Sequence, residues 1–456
     1  MVHPGPAMRD QVFASFIQRY FPTQNSPSTL RAEEFLVCNI GCLPQKGGMV
    51  DRAVSAISCL FLGKTNRDAP IFQHGVQLFN GAMRQVSNMI RRGSLTNETL
   101  YAVAIFQEIN ALYAPNGLGA LGTHVAGMNT LLEYFRAKEQ SDPIIDAIHH
   151  YQQKFNIIYT STGMNISKSE YDLIMEPTNG DPLLETLQTT VAIGILKSKI
   201  DSVKHADLRA CQNLLQRCYE VQDHLIGLYT GGQLSNEPSA LDYAGNTSQH
   251  IENTGVPPPE LLFGHAYDFS SPNDAILYIM LWTHLAMLQP LISRASRLVQ
   301  FHTSSLIGNP PSQNEDLESV ILEAHADRIA RAMPYCFQGS MGLSCCKIAL
   351  FAMCMVSLNY VDSGNREKHE WCREVIRHIA ACGFDVASHL YKLTGYQWVR
   401  RWVGADPLTC ISLRQTNSLV CSSNPVAVSK TTESRDEYAS IHYADELVLG
   451  RQTTLD

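Results

Sequence analysis

The spacing of apolar residues constrains this chain more than any other feature, because it repeats at the period of an α-helix along most of the length. Between residues 68 and 92 the apolar positions are Ile71, Phe72, Val76, Leu78, Phe79, Met83, Val86, Met89 and Ile90, one broad stripe at helical spacing. Gly93 follows as a stop, and Ser94, Leu95, Thr96 and Asn97 offer the start of a further helix. That helix carries Leu100, Val103, Ile105, Phe106, Ile109 and Leu112 and ends at Ala114-Pro115-Asn116-Gly117. Leu208, Cys211, Leu214, Leu215, Cys218, Leu225 and Leu228 form another stripe, closed by Gly231-Gly232. Alternating β-branched patterns are scarce. The expected fold is all-α, a large multi-helix domain of a dozen or more helices packed as a bundle or an irregular solenoid.

Two stretches break the pattern. Residues 231–260 are polar and turn-rich and hold Pro257-Pro258-Pro259, so they read as a surface loop within a helical domain spanning 1–414. Residues 415–456 read as a disordered polar and acidic tail. In its last part acidic residues mix with Tyr438, Ile441, Tyr443, Leu447 and Val448, the composition of some activation segments and of many ordinary tails.

Composition narrows the function. Apolar residues make up 45% of the chain and charged ones 17%, enough for a core, and the net charge of −8 with scattered basic residues argues against direct nucleic-acid binding. The thirteen cysteines have no framework spacing, and several fall in apolar helical runs, which points to a reducing, intracellular compartment. Two apolar runs, 276–292 and 341–361, approach the length of a membrane span. The first contains His284, Gln289 and Pro290 and the second Lys347, so both are expected to be buried core helices, with no membrane partner.

Several local patterns, in order, resemble the fungal-specific transcription factor domain, the regulatory region of fungal binuclear zinc-cluster transcription factors. Thr123-His124-Val125-Ala126-Gly127-Met128 leads into an apolar helix. Phe269-Ser270-Ser271-Pro272-Asn273-Asp274 leads into Tyr278 and Trp282. In Ala330-Arg331-Ala332-Met333-Pro334 a helix is expected to stop at the proline. An amphipathic helix from Trp371 through Ile379 ends at Gly383. The resemblance runs from about Arg9 to Arg401. It implies a helical regulatory domain that works through protein partners of the transcription machinery, controls a secondary-metabolite gene cluster, and resides in the nucleus. The family's DNA-binding part is missing: no Cys-x-x-Cys occurs anywhere, whereas two zinc ions require six converging thiolates.

Motifs of common enzyme classes are absent. Gly63-Lys64-Thr65 lacks the upstream glycine of a phosphate loop, and no metalloprotease or nucleophile-elbow pattern occurs. Adjacent His149 and His150 point to different faces of a helix, and no metal site or cofactor is implied. Four residues are the candidate lining of a ligand pocket: His124, expected at a helix start, and Tyr278, Trp282 and His284 on a central helix. For each of them core packing or capping is the competing role. Two functions stay open. One is a transcription-factor-like regulator that binds proteins or a small apolar effector, with a homodimer among its expected states. The other is a cytoplasmic cyclase, pericyclase or isomerase of natural-product biosynthesis that positions a small apolar substrate in a cavity of the same scaffold.

Overall fold

The computed structural model describes residues 6–21, 39–40, 48–113, 117–138, 142–160, 168–178, 181–203, 207–230, 239–240, 256–307, 315–338, 341–343 and 345–403. The tail 415–456 and most of 231–260 lie outside the described residues.

The helices occur where the apolar period places them, and local chemistry sets many of their ends. After α1 (Pro6–Tyr20), α2 (Met49–Thr65) turns back into α3 (Ala69–Arg91) through a connection in which Arg67 holds φ +55°. The Asp68 carboxylate caps α3, accepting from the Ile71 amide at 3.0 Å, and Pro70 occupies the first turn, where no amide hydrogen is needed. The hairpin closes tightly because Gly63 and Gly75 carry no side chain: a Cβ at Gly63 would meet the Phe72 amide nitrogen at 2.4 Å. α3 ends at Gly93, which adopts φ +64°.

α4 (Asn97–Tyr113) follows and is buried nearly all round. Then come α5 (Gly117–Arg136), α6 (Pro143–Thr160), the short α7 (Lys168–Ile174), α8 (Pro182–Ser202) and α9 (Leu208–Thr230). Asp181 caps α8 by accepting from the Leu183 and Leu184 amides. A minimal antiparallel pair follows, with Ser239 of β1 (Ser239–Ala240) opposite Asp268 of β2 (Tyr267–Asp268), and the single turn α10 (Glu260–Phe263) lies between them.

The longest helix, α11 (Pro272–Ile307), starts at a reciprocal cap. Ser271 Oγ accepts from the Asp274 amide at 3.1 Å and donates to the Asp274 carboxylate at 2.9 Å. It continues through Pro290, and α12 (Glu315–Cys336) likewise continues through Pro334. The expectation that the latter helix stops at the proline is corrected: a ring in the last turn removes one amide donor, and only Tyr335 and Cys336 remain beyond it. α13 (Cys345–Ser363) and α14 (Arg366–Ala381) form an antiparallel pair around Gly364 at φ +75°. α15 (Asp385–Trp398) runs on into a π-helical turn, Val399–Val403.

The architecture is therefore all-α and multi-helical. α4 packs against α2, α3, α5, α6 and α15, while α11 packs against α8, α9, α12 and α13. The first and last helices are tied together: the Leu343 amide donates to the Arg19 carbonyl at 3.3 Å, and Lys64 pairs with Asp385. Two helical stretches, Pro272–Thr303 and Cys345–Ser363, are long and apolar enough to cross a membrane. They are 78% and 67% buried against neighbouring helices over their most apolar windows, as core helices are.

Candidate functional site

The four residues singled out from sequence occupy three separate places. His124 lies in the body of α5, seven residues after its start, which corrects the expectation of a helix-start position. It is half-buried, and burial lowers its pKa. Tyr278 and Trp282, one turn apart on α11, do come together, with ring centroids 5.2 Å apart. They join Tyr267, Phe269 and Tyr335 in a cluster whose centroids lie 5.1 to 6.4 Å apart, the spacing of packed aromatic rings. Arg331 closes its edge, stacking 3.9 Å over the Tyr267 ring and donating to the Tyr267 hydroxyl at 2.7 Å.

His284 points elsewhere, because two residues on from Trp282 is about 200° around the helix. It is fully buried, and both ring nitrogens are engaged. Nδ1 lies 2.6 Å from the Met280 carbonyl one turn back, which can only accept, so Nδ1 carries the proton. Nε2 then accepts from the Thr190 hydroxyl of α8 at 2.6 Å. Burial pushes the imidazole pKa down to about 4, so it is neutral at physiological pH. The residue is a hydrogen-bonded brace between α8 and α11.

A buried carboxylate lies on α4. Glu108 is 3% exposed and accepts hydrogen bonds from Tyr20 of α1, at 2.9 Å, and from Tyr151 of α6, while pairing with Lys347 of α13. Burial alone would raise the carboxyl pKa. The Lys347 ammonium, together with the bonds from Lys347, Tyr151 and Tyr20, outweighs that effect and holds it below the usual carboxylate value. Four helices thus converge on one carboxylate. The signal in the sequence is an acid placed past the first turn, among Ile105, Phe106 and Ile109, in a helix buried nearly all round. Beside it Gln107 is fully buried, and among the described residues neither polar atom of its amide has a partner. A neighbouring polar seam joins α5 to α6, where Gln152 Nε2 donates to Asn129 at 2.7 Å and to Asn156 at 2.9 Å.

A second charged knot ties α12 to α14. Lys368 reaches Glu323 and both Asp327 carboxylate oxygens at 2.8 Å, and the Tyr360 hydroxyl donates to Asp327 at 2.7 Å. Burial would lower the lysine pKa, but the hydrogen bonds and charges of the two carboxylates win and raise it. Next to it His369 is buried, with Nδ1 3.0 Å from the Ser357 hydroxyl and its ring stacked on Trp398 at 4.9 Å.

Cys336, Cys346, Cys354 and Cys372 are buried thiols whose pKa values burial raises, which makes them poor nucleophiles. Among the described residues no three His, Cys, Asp or Glu side chains converge as metal ligands. Comparison with known protein families, curated proteins and solved structures found no match to any of them.

Proposed function

We propose that this chain is a helical regulatory module that acts by binding protein partners, and that it controls genes of a secondary-metabolite cluster without contacting DNA itself. The observation that carries this reading is how the interior polar groups are used. Glu108, His284 and Lys368 each have their charge or hydrogen bonds taken up by side chains or backbone of this chain, and each links helices distant in sequence. Buried networks of that kind hold a scaffold in one arrangement. The resemblance to the regulatory region of fungal zinc-cluster factors and the acidic net charge agree with a protein-binding role.

The enzyme reading needs an enclosed apolar chamber beside Tyr278 and Trp282. Packed aromatic rings fill that place, which weighs against it. Deleting the gene while following transcripts of the neighbouring genes together with the metabolites separates the two. A joint fall of the pathway transcripts is expected. Unchanged transcripts with one accumulating intermediate would overturn the regulatory reading and favour the catalytic one.

A further inference from the structure

The outer face of α3 carries cations and no acid. No Asp or Glu occurs between Asp68 and Glu98, although the whole protein carries a net charge of −8. Only Gly75, Ala82 and Val86 of α3 are buried. On its outer side Asn80, Met83, Arg84, Ser87, Asn88 and Arg91 fall at successive three- and four-residue steps and line an open groove along the helix. Arg84 and Arg91 are exposed, and among the described residues neither meets a carboxylate. Arg92 continues the positive charge, and Arg52 of α2 adds to it beside Gly81, where a Cβ would lie 3.7 Å from its guanidinium. Apolar surface is interleaved, since Ile90 is 51% exposed and Met83 half-buried.

The same chain holds a segment of complementary chemistry. Residues 435–449, outside the described residues, contain Asp436, Glu437, Asp445 and Glu446 among Tyr438, Ile441, Tyr443, Leu447 and Val448. We infer that α3 is the docking surface for residues 435–449 of this same chain, with the acidic side chains meeting Arg84, Arg91 and Arg92 and the apolar ones covering Met83 and Ile90. Residues 404–434 tether the segment to the π-helical turn. An unstructured chain of 31 residues would span roughly 30 Å on average and ~100 Å when extended, ample for a molecule of this size. Tethering also raises the local concentration of the segment to about 1 mM, so intrinsic affinity as weak as ~0.1 mM leaves the contact mostly closed. The contact masks the acidic segment from outside partners until one competes for it. This inference stands on charge and geometry alone, independent of any role in transcription.

Hydrogen exchange of the full-length protein, read by mass spectrometry, tests it. Amides in 435–449 are expected to exchange about tenfold more slowly than free peptide, the factor that mostly closed docking gives, and equally so across a dilution series. Full-length Arg84→Glu/Arg91→Glu and, separately, Asp445→Lys/Glu446→Lys are each expected to abolish that protection. The tail variant decides the matter if the helix variant also loses protection in α4 and is therefore misfolded. Free exchange of the wild-type segment, or protection that survives charge reversal in a folded protein, overturns the inference. Protection that fades on dilution overturns it too, since the occupant is then the tail of a second copy.

Discussion

At the scale of single residues, the interior groups set how stability responds to pH. His284 has its pKa lowered from 6.5 to about 4 by burial. Above pH 6.5 both folded and unfolded chains hold a neutral imidazole, and nothing is lost. As the pH falls from 6.5 towards 4 the unfolded chain takes up a proton that the folded chain refuses, and stability drops by roughly 3 kcal/mol over that window. Urea unfolding at pH 7 and pH 4.5 checks this. His284→Gln, which cannot titrate, is expected to flatten the slope. Glu108 behaves in the usual carboxylate sense, stabilising above its unfolded pKa and losing that contribution at lower pH. Glu108→Ala removes the acceptor of two buried hydroxyls and the partner of Lys347, and is expected to cost about 3 kcal/mol or more in urea unfolding. Glu108→Gln, which keeps the shape, is expected to cost less. His284 could be picked out from sequence because a histidine in an apolar run is conspicuous, but its role could not: the partner, Thr190, lies 94 residues away. The role of Glu108 is hidden in sequence for the same reason, since it depends on Tyr20, Tyr151 and Lys347, none of them near it in sequence.

At the scale of elements, the α2–α3 hairpin depends on two glycines at its crossing. Gly63→Ala would drive a Cβ into the Phe72 backbone, and Gly75→Ala would place one 2.8 Å from the Leu60 amide nitrogen. Each is expected to lower stability by about 1–3 kcal/mol, read as a fall in the thermal midpoint. Gly364→Ala combines φ +75° with a contact 2.9 Å from the Trp402 ring, so it is expected to loosen the π-helical turn, seen as faster hydrogen exchange of its amides. The elements themselves were largely legible. The stripe of α3 and its stop at Gly93 follow from period and punctuation, as does the end of α9 before Gly231-Gly232. One proline was less so. Pro290 falls inside the core helix expected over 276–292, but Pro334 lies within α12 without ending it, because burial against neighbours outweighs the loss of one hydrogen bond, and no local pattern reports on neighbours.

At the scale of the whole molecule, the two ends of the described chain belong to one core. Phe16 and Tyr20 of α1 pack on Phe61 of α2, Tyr20 reaches Glu108, and Glu108 reaches Lys347 near the start of α13. A chain ending before Cys345 loses Lys347 and every helix from α13 on, including the α15 contacts to α4 and α5. Such a truncation is expected to lose cooperative unfolding by circular dichroism, and not merely to shift its midpoint. Helical architecture was within reach of sequence because it is written locally, whereas the closing of first helices on last is written only in three dimensions. This closure has a consequence for how the protein is made. Glu108 leaves the ribosome 239 residues ahead of the lysine that neutralises it. At about 5–20 residues per second, the nascent carboxylate waits roughly 10–50 seconds for its cation. During translation the N-terminal helices therefore hold an ionised group that they cannot yet bury, and final collapse of the core waits for the arrival of α13.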